Sequence, residues 1–73
     1  MYYYFDMNKF SERLKELRID KKLTTKTLGQ QIGVSNATIS RWENGKNNIK
    51  VDELIAVAKF FHVSIEYLVG LED

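Results

Sequence analysis

Two stretches patterned for short helices are joined by only three residues, Gly33-Val34-Ser35. No other feature of the chain narrows its fold as much. Upstream, Thr24 is an N-cap residue, and Leu28 and Ile32 share one helical face. Gly33 is the residue type that takes a left-handed conformation where a helix stops. Downstream, Ser35 offers a second N-cap. Ile39 and Trp42 give the next helix its inward face, and Asn44-Gly45 closes it. So short a connection makes the two helices cross steeply instead of lying side by side. Gly29 is then the small residue where they approach each other.

The other apolar residues fit three more short helices. Phe10, Leu14 and Leu17 follow the N-cap candidate Asn8 and predict a first helix from about Lys9 to Lys21, after which Leu23 returns to the core. Val51, Leu54, Ala58 and Phe61, widened by Ile55 and Val57, predict a fourth. After Val63, Ser64 caps a fifth that carries Ile65 and Leu68. The expectation is an all-α, compact five-helix domain over residues 9–73, with no strand and no repeat. Its second and third helices form a helix-turn-helix over about residues 24–45. A chain of 73 residues makes one domain with a minimal core. Residues 1–8 read as an aromatic N-terminal arm or leader, because Tyr2, Tyr3, Tyr4 and Phe5 show no helical period. Three readings stay open for it. It is a leader with Met7 as the true start, an arm folded onto the domain, or a strand that pairs with a partner chain.

Composition removes several function classes. There is no Cys, which excludes disulfides, thiolate metal sites and thiol nucleophiles, and a single His offers little to a metal. No nucleophile–base pair or glycine-rich phosphate loop appears, so neither an enzyme nor a cofactor is expected. No apolar run approaches the ~20 residues of a membrane span, and no secretory pattern opens the chain. A cytoplasmic protein with no membrane and no small-molecule substrate is expected. The net charge of +1 conceals an asymmetry. Residues 7–50 hold ten basic and four acidic side chains, whereas residues 51–73 hold one basic and five acidic. A basic front and an acidic back suit a polyanion on one side. Trp42, spaced three from Ile39, reads as core and not as a base-stacking platform. The third helix turns Asn36, Ala37, Thr38, Ser40 and Arg41 outward, small polar groups and one guanidinium that reach base edges or phosphates.

The run from Leu23 to Gly45, with Gly33-Val34-Ser35-Asn36-Ala37-Thr38-Ile39-Ser40-Arg41-Trp42-Glu43-Asn44-Gly45 at its centre, resembles the lambda-repressor-like (Cro/Xre) helix-turn-helix family. Arg13-Leu14-Lys15-Glu16-Leu17-Arg18 resembles that family's first helix. Asp52-Glu53-Leu54 through Ala58-Lys59 resembles its fourth, and Val63-Ser64-Ile65-Glu66-Tyr67-Leu68-Val69-Gly70 its fifth. By this resemblance Ser35, Asn36, Ala37 and Arg41 fall on base-reading positions, with Thr38 and Ser40 beside them. Thr24 and Thr25 fall where the family grips a phosphate, and Lys26, Lys46 and Asn47 are further phosphate candidates. Arg18 and Glu43 match a pair that tethers the first helix to the end of the third. The chain departs from the pattern at four places. Thr25 stands for a usual Gln, Lys22 and His62 for frequent glycines, and Ile49-Lys50 for Pro-Ser. The implied function is a sequence-specific DNA-binding transcriptional regulator, a repressor, that reads a palindromic operator as a homodimer with the third helix in the major groove. Tyr67, Val69 and Leu71 are the expected dimer interface. The alternative is a protein-interaction module such as an antitoxin with a helix-turn-helix fold.

Overall fold

The computed structural model describes residues 7–46 and 49–72. The aromatic segment, and Asn47 among the phosphate candidates, lie outside the described residues. Five helices follow in order: α1 (Met7–Asp20), α2 (Thr25–Ile32), α3 (Asn36–Glu43), α4 (Val51–Phe61) and α5 (Ile65–Leu68). No strand occurs among the described residues. The expected caps are in place. The hydroxyls of Thr24, Ser35 and Ser64 accept the backbone N–H of Thr27, Thr38 and Tyr67 at 3.0, 3.1 and 3.0 Å. α1 begins earlier than its pattern predicts, and Asn8 lies inside it. Met7 packs against the core, and that burial extends the helix. α4 starts without a side-chain acceptor at Lys50, because an ammonium only donates. Glu53 reaches back instead and accepts the Lys50 N–H at 2.9 Å.

All five described helices stop in the same way. Each is followed by a residue of positive φ: Lys22 (58°), Gly33 (82°), Gly45 (69°), His62 (56°) and Gly70 (85°). The next N–H then returns to a carbonyl five residues back. Leu23 donates to Arg18, Val34 to Gly29, Lys46 to Arg41, Val63 to Ala58 and Leu71 to Glu66, at 2.8–3.1 Å. Lys22 and His62 therefore hold a conformation that costs an L-residue about 1–2 kcal/mol. Glycine would return about 0.5–1 kcal/mol of that through its freer unfolded chain. Lys22→Gly and His62→Gly are each expected to raise stability by about 0.5–1 kcal/mol, read as a higher urea midpoint at unchanged slope. Alanine at either position keeps the Cβ and is expected to leave the midpoint nearly where it is.

The core joins all five helices. Phe10 and Leu14 come from α1, Leu28 from α2, and Ile39 and Trp42 from α3. Leu54, Val57, Ala58 and Phe61 come from α4, and Leu68 with Val69 from the α5 end. Trp42 is its largest member, 1% exposed, and meets the Phe10 ring edge-on at 6.2 Å. The Ser11 hydroxyl donates to the Trp42 carbonyl at 2.5 Å, so α1 holds α3 by a buried polar bond as well as by packing. Val69, expected at a surface between protomers, is 5% exposed and part of this core. A core this small takes that side chain for itself.

Two arginines of the basic front are used inside the domain. Arg13 is buried, lies 4.2 Å over the Tyr67 ring and donates to the carbonyls of Tyr67 and Glu72, which fastens α5 and the following turn to α1. Arg18 donates two hydrogen bonds to the Glu43 carboxylate, at 2.6 and 3.0 Å, and a third to the Leu23 carbonyl at 2.9 Å. Both side chains of that ion pair are largely buried. The positive surplus that faces solvent is smaller than the sequence count suggests.

Candidate nucleic-acid interface

α3 is held on its inner side by Ile39 and Trp42, both essentially without solvent contact. At about 100° per residue, Asn36, Ala37, Ser40 and Arg41 share an arc of about 140° on the opposite side. All four are exposed. An eight-residue helix is about 12 Å long, a length that enters a major groove ~12 Å wide. The outward face carries a carboxamide, a methyl, a hydroxyl and a guanidinium. These are respectively a donor–acceptor group, a match for a thymine methyl, a donor or acceptor, and a paired donor. No acidic or large apolar side chain interrupts it.

The structure separates Ser35 and Thr38 from that arc. Ser35 is the α3 cap, and its hydroxyl pairs with that of Thr38 at 2.8 Å. Thr38 is half-buried and lies toward the inner side of the helix. Both hydroxyls are engaged in starting α3, which leaves the outward arc to the other four.

The N-termini of α2 and α3 meet. The Thr25 hydroxyl donates to the Asn36 side-chain oxygen, joining the first residue of each helix. A helix N-terminus carries positive partial charge and favours an anion such as a phosphate, and this contact places two of them beside each other. Thr24 caps α2, with its hydroxyl also bonded to that of Thr27 at 2.9 Å, and Lys26 is exposed in the first turn. Lys46 is exposed just beyond the other end of α3. The outward arc is therefore flanked by cationic character at both ends.

Two fixed distances set the attitude of α3. A Cβ built on Gly29 would stand 2.6 Å from the Val34 carbonyl oxygen, so α2 and the turn approach as closely as glycine allows. At the other end, the Arg18–Glu43 pair ties the last residue of α3 to α1. The bidentate bond that Arg18 donates to Glu43 raises the Arg18 pKa, against burial, which lowers it. The Thr25–Asn36 bond and the internal use of Arg13 had no signal in the spacing of the sequence. The structure alone brings those groups together. Among the described residues, no group of three metal-ligating side chains forms a cluster, and no helix is long and apolar enough to cross a membrane.

Comparison with known proteins agrees with this geometry. The helix-turn-helix family HTH_3 matches residues 14–68. The HTH-type transcriptional activator BcrR of Enterococcus faecalis is 41% identical over 88% of this chain, which spans 31% of BcrR. This chain spans 57% of a second curated relative and 26% of a third, so the relatives are longer. The crystal structure of the P22 c2 repressor in complex with a synthetic operator superposes with a TM-score of 0.81 at 32% identity, covering 86% of this chain and 96% of that one. The hydroxypropylphosphonic acid epoxidase of S. wedmorenis is also similar, with a TM-score of 0.79 at 26% identity. The likeness covers 92% of this chain but 36% of the enzyme.

Proposed function

Because the chain belongs to the helix-turn-helix HTH_3 family of DNA-binding transcriptional regulators, we propose that it reads a specific double-stranded sequence with α3 in the major groove. It does so as a homodimer on a palindromic operator and acts there as a repressor. The observation that carries this reading is the outward arc of Asn36, Ala37, Ser40 and Arg41 on a helix whose other side is locked into the core. Arg41 donates to a guanine edge and the Ala37 methyl meets a thymine methyl. The paired N-termini at Thr24 and Thr25, with Lys26 and Lys46, hold phosphates on either side. The operator-bound P22 c2 repressor lends support, since its complex shares this fold.

One helix reads only a few base pairs, so a second copy supplies the rest of the specificity. Of the expected interface residues, Leu71 is 46% exposed and available, while the Tyr67 ring lies under Arg13. Ile55 and Ile65 are exposed as well and line an open, largely apolar groove with Ala58, Lys59, His62 and Val63. That groove, together with Leu71, is the face proposed for the partner copy.

The test is selection from a randomised duplex pool, followed by anisotropy titration in rising salt. A palindrome should be enriched, with affinity that falls steeply as salt displaces the phosphate contacts. Arg41→Ala should weaken binding to the selected operator by about 10- to 100-fold and relax preference at one base pair per half-site. Weak binding indifferent to sequence and to Arg41 would defeat this reading and favour the protein-interaction module.

A further inference from the structure

We propose that two copies of the chain pair through antiparallel α4 helices, and that Asp52 and Lys59 are the residues that make this face choose another copy of itself. The inference rests on the homodimer reading above and gives it a register and a source of selectivity. Four residues of α4 are exposed: Val51, Asp52, Ile55 and Lys59. At about 100° per residue they share an arc of about 100°, while Leu54, Val57 and Phe61 turn into the core. Val51 is 73% exposed and projects at the start of the helix. At the other end, Ala58, His62, Val63 and Ile65 line the open apolar groove. An apolar side chain that projects at one end of a face, and a groove at its other end, are self-complementary under a two-fold axis. Each copy places its Val51 in the groove of the other, and Ile55, between them, lies close to the axis.

Asp52 and Lys59 fix the direction of that pairing. They are seven residues apart, so they lie almost in line along α4, about 10 Å from each other. Neither belongs to an ion pair within the described residues. In an antiparallel pair centred between Ile55 and Ala56, Asp52 of each copy stands level with Lys59 of the other. Both contacts fall on one edge of the interface, and the Val51 contacts fall on the other edge. Parallel α4 helices would set Asp52 against Asp52 and Lys59 against Lys59, two repulsions in place of two attractions. A helix about 16 Å long also buries less than a permanent dimer needs. The pairing is therefore weak in free solution, and these charges decide which chains it admits.

The experiment is sedimentation of the full chain and three variants at low salt and without DNA. Asp52→Lys and Lys59→Glu each replace both attractions by repulsions, and each alone should weaken self-association by about tenfold or more. An equimolar mixture of the two restores both attractions between unlike copies and should associate about as tightly as the wild type. The double variant, with the charges exchanged, should also recover. Raising the salt should shrink all of these differences. The rescues separate a charge contact from damage to α4, because a misfolded variant would not be rescued by its counterpart. Single variants that associate like the wild type would overturn the proposal, and so would a mixture no tighter than its components. A wild type that stays monomeric at every concentration would overturn it together with the homodimer reading. Loss of sequence preference in the operator selection would defeat the DNA-reading proposal and is a separate result, since sedimentation here involves no DNA.

Discussion

Gly29→Ala is expected to lower the unfolding free energy by about 2–3 kcal/mol, although alanine is the better helix former by about 1 kcal/mol. The added methyl would meet the Val34 carbonyl oxygen at 2.6 Å and the Ser35 backbone at 3.3 Å. These atoms are backbone, in a turn whose length is fixed by the helices on either side. No side chain can swing away to make room. α2 and the turn must part, and Leu28, Ile39 and Trp42 lose packing as they do. A domain of 73 residues has about 4–11 kcal/mol in total, so the loss is a large share of it. Gly33→Ala supplies the contrast. No atom lies within 4 Å of its Cβ position, and the cost there arises only from the φ of 82°, about 1–2 kcal/mol. Urea denaturation of both variants checks the pair. A Gly29→Ala domain as stable as the wild type would mean that the approach of α2 to the turn is not held by contact. The variant should also lose operator affinity beyond what its unfolded fraction explains, because the same displacement re-aims α3.

Most of the fold was legible because it is written in local chemistry. Thr24, Ser35 and Ser64 are cap residues by type and cap in fact, and the spacing of Ile39 and Trp42 predicts their burial. The close approach at Gly29 follows from the three-residue turn. Lys22 and His62 stand where the resemblance puts frequent glycines, and both residues hold positive φ. What could not be read was the destination of long or short polar side chains. Arg13 and Arg18 count as surface charge in any sum over residues, but one closes the α5 end and the other binds Glu43. Thr38 looks like its neighbours on α3 until the Ser35 hydroxyl claims it. Val69 looks spare until the small core is seen to need it. Such partners lie tens of residues apart in sequence, and only the assembled fold brings them within reach.

Removing either partner of the Arg18–Glu43 pair is expected to cost about 3 kcal/mol, whereas replacing both costs clearly less than the two losses together. The reason is desolvation. Glu43 is 7% exposed and Arg18 14%, so each alone would be a charge held away from water without its counter-charge. Arg18→Met leaves the carboxylate stranded and also orphans the Leu23 carbonyl. Glu43→Leu leaves a guanidinium with only that carbonyl. In the double variant no charge remains, and two apolar side chains fill similar volume. A double-mutant cycle by urea denaturation measures the coupling, and strict additivity would show that the pair contributes nothing. The sign of the pH effect follows from Arg18. Its pKa is raised by Glu43, so Arg18's contribution is complete through the neutral range and is lost as pH rises through that raised pKa in strong alkali. Neutral buffers should therefore leave that contribution unchanged. The double variant separates stability from aim. It folds, but nothing ties the last residue of α3 to α1, and only the Trp42 packing and the Ser11 bond remain at that end. If α3 reads DNA as proposed, operator affinity should fall further than the unfolded fraction explains, because the end of α3 that carries Arg41 is held less firmly.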